Sequence, residues 1–220
     1  MTRAALALAA IGFAALGATA VHAAETPALP TGEWRFEVML DGTPIGEHRF
    51  SVTGQGDQRQ VVSDARFDVR LLGFSAYRYR HRATELWRGG CLASLDSTTD
   101  DDGKPNRVQA RREGDAFDIK ADGRTEAVKG CVMSFAYWNP ALQALNQGKL
   151  LNAQTGKLET VQVQRGSAGS VEVRGKPVAA TEFRISGAAQ PIELWFSPKG
   201  DWIGLDSTVA GGRKLTYRLP

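Results

Sequence analysis

The sequence predicts an all-β domain: a strongly curved antiparallel sheet or open barrel that holds one short helical plug. About a dozen segments alternate apolar and polar residues, which is the pattern of strands with one buried face. Turn residues separate these segments at intervals of roughly 8–12 residues. Only one segment beyond residue 23 carries helix signals, so an antiparallel sandwich or barrel is favoured over folds that alternate strands with helices.

The first 23 residues have the features of a secretory signal peptide. Arg3 provides a short basic start, an apolar run follows from Ala4 to Ala20, and Val21-His22-Ala23 suits a signal peptidase. The run is rich in Ala and Gly, and no later apolar stretch is long enough to cross a bilayer, so we expect no transmembrane segment. We therefore expect cleavage near Ala23, a periplasmic location, and one β-barrel-like domain over residues 24–220.

The charge of the chain gives little support to a nucleic-acid partner. Without the signal peptide the chain has 26 basic and 24 acidic side chains, a net charge of +2. We expect no nucleic-acid partner for so balanced a protein.

We also expect no cofactor and no metal, because His48 and His81 are too few for a histidine site. The run Asp100-Asp101-Asp102-Gly103 lacks two of the carboxylates that a calcium loop requires.

Long antiparallel hairpins are predicted at the start of the domain. Residues 33–40 form the first strand, 41–46 the turn, and the chain returns over 48–52. The next hairpin pairs residues 61–71 with 77–87 across a bend at Gly73.

The register of this second hairpin can be predicted from its side chains. A bend centred on Gly73 places residues whose numbers sum to 146 opposite each other. Phe67 then faces Tyr79, and Asp64 faces Arg82. Apolar residues meet aromatic ones and acids meet bases, which supports this register.

Shorter strands follow, separated by turns rich in Gly, Pro and Asp. They are predicted at residues 91–99, 107–112, 116–121, 125–129, 158–164, 170–174, 178–185, 192–197, 202–209 and 214–219.

The segment from Phe135 to Leu145 is predicted to contain a helix of about two turns. Asn139 is suited to the N-cap, Pro140 to the first helical position, and Gly148 to the position after the C-terminus. So short a helix is marginal in water. It should therefore form only by docking small and apolar side chains against the sheet, namely Ala141, Leu142, Ala144 and Leu145.

Two cysteines, Cys91 and Cys131, predict a disulfide that closes a loop of about 40 residues. Such a bridge contributes about 3–4 kcal/mol in the chain-entropy model. A zinc site would need two further ligands at short spacing, and a redox pair would need Cys-x-x-Cys. The sequence has neither pattern.

An aromatic strand face is the candidate binding surface. Tyr77, Tyr79, His81 and Trp87 share one face, and the segment before the predicted helix adds Phe135, Tyr137 and Trp138. Aromatic residues with polar tips are common at half-open cavities, although a dry core is an equal alternative.

The opposite face of this strand carries Arg78, Arg80 and Arg82. We interpret it as a surface neutralised by Asp64 and Asp68, with an anion-binding patch as the alternative.

Several sequence blocks resemble a known family. They are the hairpin Trp34–Val52, the blocks Ala65–Leu72 and Tyr77–His81, the stretch Trp87–Cys91 and the stretch Gly130–Pro140. Together they resemble a family of exported proteobacterial proteins known only as a domain of unknown function. Asp41–Glu47, Leu194–Trp202 and Lys214–Leu219 are also similar to uncharacterised periplasmic proteins with a curved sheet or open barrel, like lipoprotein carriers in outline. The resemblance implies a fold and an apolar ligand, and it supplies no catalytic residue.

The first functional hypothesis is a non-enzymatic periplasmic binding or carrier module for an apolar, lipid-like small molecule. It requires an apolar cavity above about 300 Å³. The second is a hydrolase or isomerase that uses His81 with neighbouring Tyr and Glu side chains. The third is a structural protein that binds an envelope protein through a sheet edge or the arginine face.

Overall fold

The computed structural model describes residues 29–71 and 74–220 of the chain. The expected signal peptide and the bend at Gly73 lie outside these residues.

Within the described residues the fold is all-β, as predicted, and every strand belongs to one sheet. The first eight strands are β1 (Gly32–Leu40), β2 (Thr43–Thr53), β3 (Gln58–Leu71), β4 (Phe74–Arg88), β5 (Cys91–Asp101), β6 (Lys104–Glu113), β7 (Ala116–Ala121) and β8 (Arg124–Lys129). The others are β9 (Met133–Ser134), β10 (Gln147–Leu151), β11 (Leu158–Val173), β12 (Lys176–Ser186), β13 (Ile192–Phe196), β14 (Trp202–Val209) and β15 (Arg213–Arg218).

The sheet consists of two arms that meet at the first and last strands. Its order is β8-β7-β6-β5-β4-β3-β2-β1-β15-β14-β13-β12-β11-β10-β9. We call β1–β8 the first arm and β9–β15 the second arm. Neighbouring strands in this order pair antiparallel, except that β9 and β10 are parallel. The sheet is open, because β8 and β9 form its two edges.

The core shows that the two arms curl toward each other. Phe36 and Tyr79 of the first arm share one buried cluster with Leu194 and Trp202 of the second arm. The rings of Phe36 and Trp202 are 4.5 Å apart. A sheet of so many strands is strongly twisted, and curling lets its apolar face be buried against itself.

The end of the second arm packs beneath the first arm. We call residues 130–146, which include β9, the inner segment. The Leu92 amide donates to the Val132 carbonyl at 2.8 Å, which joins the start of β5 to this segment. The buried Trp138 packs edge-to-face on Trp87 of β4, with ring centroids 5.4 Å apart. The two arms therefore overlap without closing a barrel through strand pairing.

The predicted helix was wrong. The inner segment contains one 3₁₀ turn, Pro140–Leu142, whose Asn139 side chain accepts the Ala141 amide at 3.0 Å as an N-cap. The expected C-terminal Gly148 instead lies in β10, opposite Val161. Pairing with β11 gives this stretch interstrand hydrogen bonds, and an isolated two-turn helix is too short to compete. Of the four residues expected to dock, Leu142 is buried, Leu145 is half-buried, and Ala141 and Ala144 are exposed.

Other strand boundaries also differ from the prediction. The turn expected over 41–46 is the two-residue turn Asp41-Gly42, with φ of 50° and 79°, which is typical of a tight hairpin. The two strands predicted over 158–174 are one strand, β11, with a bulge between Arg165 and Ala168. β10 was not predicted.

The register prediction for β3 and β4 is confirmed. Phe67 lies opposite Tyr79 and Asp64 opposite Arg82, and the number sum of 146 holds from Gln58 to Val69. The rings of Phe67 and Tyr79 are stacked 5.2 Å apart. Arg82 and Arg66 approach Asp64 at 3.5 and 2.9 Å on the outer face. Because these arginines are exposed, the ion pairs add little stability.

The backbones of β2 and β3 approach each other closely at Gly46 of β2. Its φ is 152°, and a Cβ there would lie 1.9 Å from the Arg66 carbonyl oxygen. We expect Gly46→Ala to lower the free energy of unfolding by about 1–3 kcal/mol, because the backbones must separate. Denaturant titration measures this, with Gly169→Ala as the control, since its Cβ meets only the Trp195 ring at 3.3 Å. Equal midpoints for Gly46→Ala and wild type would contradict the prediction.

Candidate functional site

The curled sheet and the inner segment enclose a cavity of about 710 Å³. Aromatic side chains from both arms and the inner segment line it, among them Phe50, Phe67, Tyr79, Tyr137 and Tyr217. This volume lies in the range of small-molecule sites and exceeds the roughly 300 Å³ that the carrier hypothesis requires. The cavity reaches the surface near the exposed residues Asp101 and Arg213.

Small residues at inward positions of the first arm leave this space open. Ala65 lies between His48 and His81 in one cross-strand row of β2, β3 and β4. In the neighbouring row Ser63 and Ala83 lie side by side. Inward side chains this small cannot fill the space between the two arms, so volume remains in front of them.

Six of the seven predicted binding residues line the cavity: Tyr77, Tyr79, His81, Phe135, Tyr137 and Trp138. Trp87 is not among the lining residues. It is 1 % exposed, and its indole N–H donates to Glu85 Oε2 at 2.8 Å. A bulge between Leu86 and Trp87 shifts the register with β5 at this point, and Trp87 packs in the second core cluster.

Among the polar side chains of the cavity wall that were not predicted as site residues, His48 contacts both Ser63 and Tyr217. His48 Nε2 lies 2.7 Å from Ser63 Oγ, and His48 Nδ1 lies 3.4 Å from the Tyr217 hydroxyl. His48 also packs on Phe50, with ring centroids 4.0 Å apart. The alternation of His48 with Phe50 and Val52 was the sequence signal that could have placed His48 on the inner face. No local pattern indicated Tyr217, because it reaches His48 from the opposite end of the chain.

Both histidines are neutral at neutral pH. Burial lowers the pKa of His48 to about 3, and the nearby His81 adds to this effect. Burial also lowers the pKa of His81 to about 4, although Asp64 opposes the shift. Imidazoles with such low pKa values are weak general bases. Among the described residues, the hydrogen-bond partners of His48 include no carboxylate that could orient it.

The hydrogen bond of His81 has a structural explanation. Its Nδ1 lies 2.9 Å from Thr99 Oγ1, and Thr99 is its direct cross-strand neighbour on β5. Strand register is therefore sufficient to bring the two groups together, and the bond is not a sign of catalysis. Both histidines are therefore placed to exchange hydrogen bonds with neighbouring hydroxyl groups.

The ionisable side chains of the cavity wall already form hydrogen bonds or ion pairs within the protein. Asp101 accepts the Tyr77 hydroxyl at 2.6 Å, and Arg213 pairs with Asp41 at 2.7 Å. Glu159 accepts from Asn152 Nδ2 at 2.7 Å and from the Ala189 amide at 3.1 Å. Burial raises the pKa of Glu85, the deepest of these acids, despite the Trp87 N–H that it accepts.

A second concavity, of about 1100 Å³, lies on the first arm among the outer arginines. Arg66 and Arg82 flank Asp64, and Arg107 pairs with Asp96 at 2.8 Å. Arg80 donates to the Tyr79 carbonyl at 3.1 Å. Of the three predicted arginines, Arg82 pairs with Asp64 as expected, whereas Arg80 donates to backbone carbonyls and Asp68 pairs with Arg70 at 3.8 Å.

No group of three or more His, Cys, Asp or Glu side chains is arranged to hold a metal ion in residues 29–71 and 74–220. Over the same residues, no helix has the length and apolar character needed to cross a membrane.

The fold is similar to that of a solved protein of unknown function. This is a β-barrel-like protein of the domain of unknown function DUF1849 from Brucella abortus, with a TM-score of 0.64 and 12% sequence identity. The match covers 88% of this chain and 97% of that one. At this identity the likeness shows the fold alone.

No curated protein matches the sequence. A family model described as a domain of unknown function, DUF6134, matches residues 36–220. Because this match spans all but the first part of the described sheet, the chain belongs to the DUF6134 family.

Proposed function

We propose that the protein is a non-enzymatic binding or carrier module that holds one apolar or amphipathic molecule in its cavity. The observation that carries this proposal is the cavity of about 710 Å³ with its aromatic wall. Large apolar walls with a few placed polar groups are typical of small-molecule sites. We also propose that the protein acts in the periplasm, on the basis of the signal-peptide pattern at residues 1–23.

The composition of the cavity wall supports an apolar ligand. The wall combines rings from the sheet, such as Phe67, with Phe135 and Tyr137 from the inner segment. Burial of apolar ligand surface contributes about 25 cal/mol per Å² before the costs of binding are subtracted.

Native mass spectrometry of protein purified from its own cell envelope tests the proposal. We expect a mass above that of the polypeptide, which organic extraction removes and identifies. The purified protein should also bind an apolar fluorescent probe, N-phenyl-1-naphthylamine. Protein that is empty as isolated and that leaves the probe fluorescence unchanged would overturn the proposal.

Filling the cavity should weaken probe binding. Ala65 is 1 % exposed and lines the cavity between His48 and His81. We expect Ala65→Leu to weaken probe affinity at least tenfold, because its side chain takes space that the ligand needs. Fluorescence titration measures this change. The matched control is Ala127→Leu on the exposed face of β8, which should bind the probe as wild type does.

The comparison is valid only for folded protein, so circular dichroism must first show the same strand content for both variants. If Ala65→Leu is unfolded, Ser63→Leu repeats the test from the neighbouring row. Wild-type affinity in a folded cavity-filling variant would place the probe outside the cavity and contradict the prediction.

A further inference from the structure

We propose that the cavity selects amphipathic molecules whose polar group is uncharged, and that it discriminates against anionic amphipaths. This inference rests on the proposed binding function and adds the chemical class of the ligand. Its basis is a set of neutral hydrogen-bonding groups in the cavity wall, which we call the hydroxyl band: His48, Ser63, Tyr79, Tyr137 and Tyr217.

The band can both donate and accept hydrogen bonds without carrying charge. Burial raises the pKa values of Tyr79, Tyr137 and Tyr217, so their hydroxyls stay protonated. His48 contacts Ser63 and Tyr217 as described above. Within residues 29–71 and 74–220, the hydroxyls of Tyr79 and Tyr137 form no hydrogen bond with another side chain or the backbone. An amide, ester or hydroxyl group of a ligand would give them partners.

Charges in the wall oppose an anion. Asp101 and Glu159 are acids in the cavity wall, and Arg213 is its one base among the described lining residues; the third acid, Glu85, is buried, which favours its neutral form. Arg213 already pairs with Asp41. An anionic headgroup would therefore lose its water and find no unpaired cation among the described lining residues. A site that leaves the charge of a wrong ligand unpaired binds that ligand weakly, and this is a general source of specificity.

A cationic headgroup fits no better. Asp101 is engaged by Tyr77, and Glu159 by Asn152 and the Ala189 amide. Glu85 is buried, which favours its neutral form. A cation would have to replace existing hydrogen bonds in order to be paired, whereas a neutral polar group needs only the free hydroxyls.

Three ligands of equal chain length test the inference by displacement of N-phenyl-1-naphthylamine at pH 7: lauramide, laurate and dodecylammonium. We expect lauramide to displace the probe at a concentration at least tenfold below that of either charged ligand. Lauramide and laurate have nearly the same shape, so the difference between them reports charge. Equal or stronger displacement by laurate or by dodecylammonium would overturn the inference but leave the binding function intact. Failure of the probe and of all three ligands to bind would overturn the binding function itself.

A pair of variants tests the role of the hydroxyl band. Tyr79→Phe should weaken lauramide binding about fivefold while it changes laurate binding less, so the selectivity falls. Thr98→Val removes a hydroxyl from the exposed outer face of β5 and should leave all affinities unchanged. If Tyr79→Phe weakens lauramide and laurate by the same factor, Tyr79 contributes only to packing, and its hydroxyl does not recognise the polar group.

Discussion

Replacement of both Cys91 and Cys131 by serine is expected to lower the free energy of unfolding by about 2–4 kcal/mol. The structure contains the predicted bridge between these residues, with a Cα–Cα distance of 5.2 Å and a sequence separation of 40. In the chain-entropy model, loss of the bridge restores the freedom of that loop to the unfolded chain.

The same change should loosen the inner segment before the rest of the fold. Cys91 begins β5 and Cys131 enters the inner segment, next to the bond between the Leu92 amide and the Val132 carbonyl. One 3₁₀ turn and a two-residue strand give this segment little stability of its own. Hydrogen exchange should therefore accelerate more over residues 132–146 than at Phe67 and Tyr79 in the sheet.

Reductant provides the control for this prediction. It should destabilise the wild-type protein as much as the double substitution does, and it should have no effect on the Cys91→Ser/Cys131→Ser variant. Two free thiols in protein isolated from its own cells would contradict the proposed role of the bridge. Uniform acceleration of exchange across the whole sheet would contradict its local effect.

The fold of the first arm could be predicted because its determinants are local. The alternation in β3 and β4 assigns each side chain to a face, and one bend then fixes the pairing of Phe67 with Tyr79. The disulfide could be predicted because two cysteines allow only one intramolecular pairing. The six lining residues were found for the same reason, since each shares a face or a short segment with other aromatic residues.

The remaining features depend on contacts between distant parts of the chain. The pairing of β1 with β15 is a contact of this kind, as is the approach of Tyr217 to His48 across 169 positions. Asn139 and Pro140 do begin a helical turn, but it ends after Leu142, and the expected C-terminal Gly148 pairs with β11 as part of β10. The cavity itself depends on how far the two arms curl, which no single segment determines.

Acidification from pH 7 to pH 5 is expected to lower the free energy of unfolding by about 2–4 kcal/mol through His48 and His81. In the fold their pKa values are lowered to about 3 and about 4, whereas unfolded histidine has a pKa near 6.5. Below pH 6.5 the unfolded chain therefore gains protons that the folded protein does not. The contribution of the two histidines to the free energy of unfolding is therefore present in full above pH 6.5, and it is lost as the pH falls toward 4.

Each histidine contributes about 1.4 kcal/mol per pH unit within this window, or up to about 2 kcal/mol between pH 6.5 and pH 5. Glu85 acts in the opposite direction, because its raised pKa favours proton uptake by the folded protein. Asp41, Glu47 and Asp96 have lowered pKa values, so their contribution is lost mainly at lower pH. The interval from pH 6.5 to pH 5 therefore reports chiefly the two histidines.

Guanidinium titrations at pH 7 and pH 5 measure the difference, and the double variant His48→Gln/His81→Gln is the control. Glutamine keeps a polar side chain at each position but has no titrating group, so the variant should lose most of the pH dependence. Its stability at pH 7 does not enter the comparison, because only the change between the two pH values is used. Two results would contradict buried, neutral histidines: equal stability of the wild-type protein at both pH values, or NMR titration of either ring near pH 6.5.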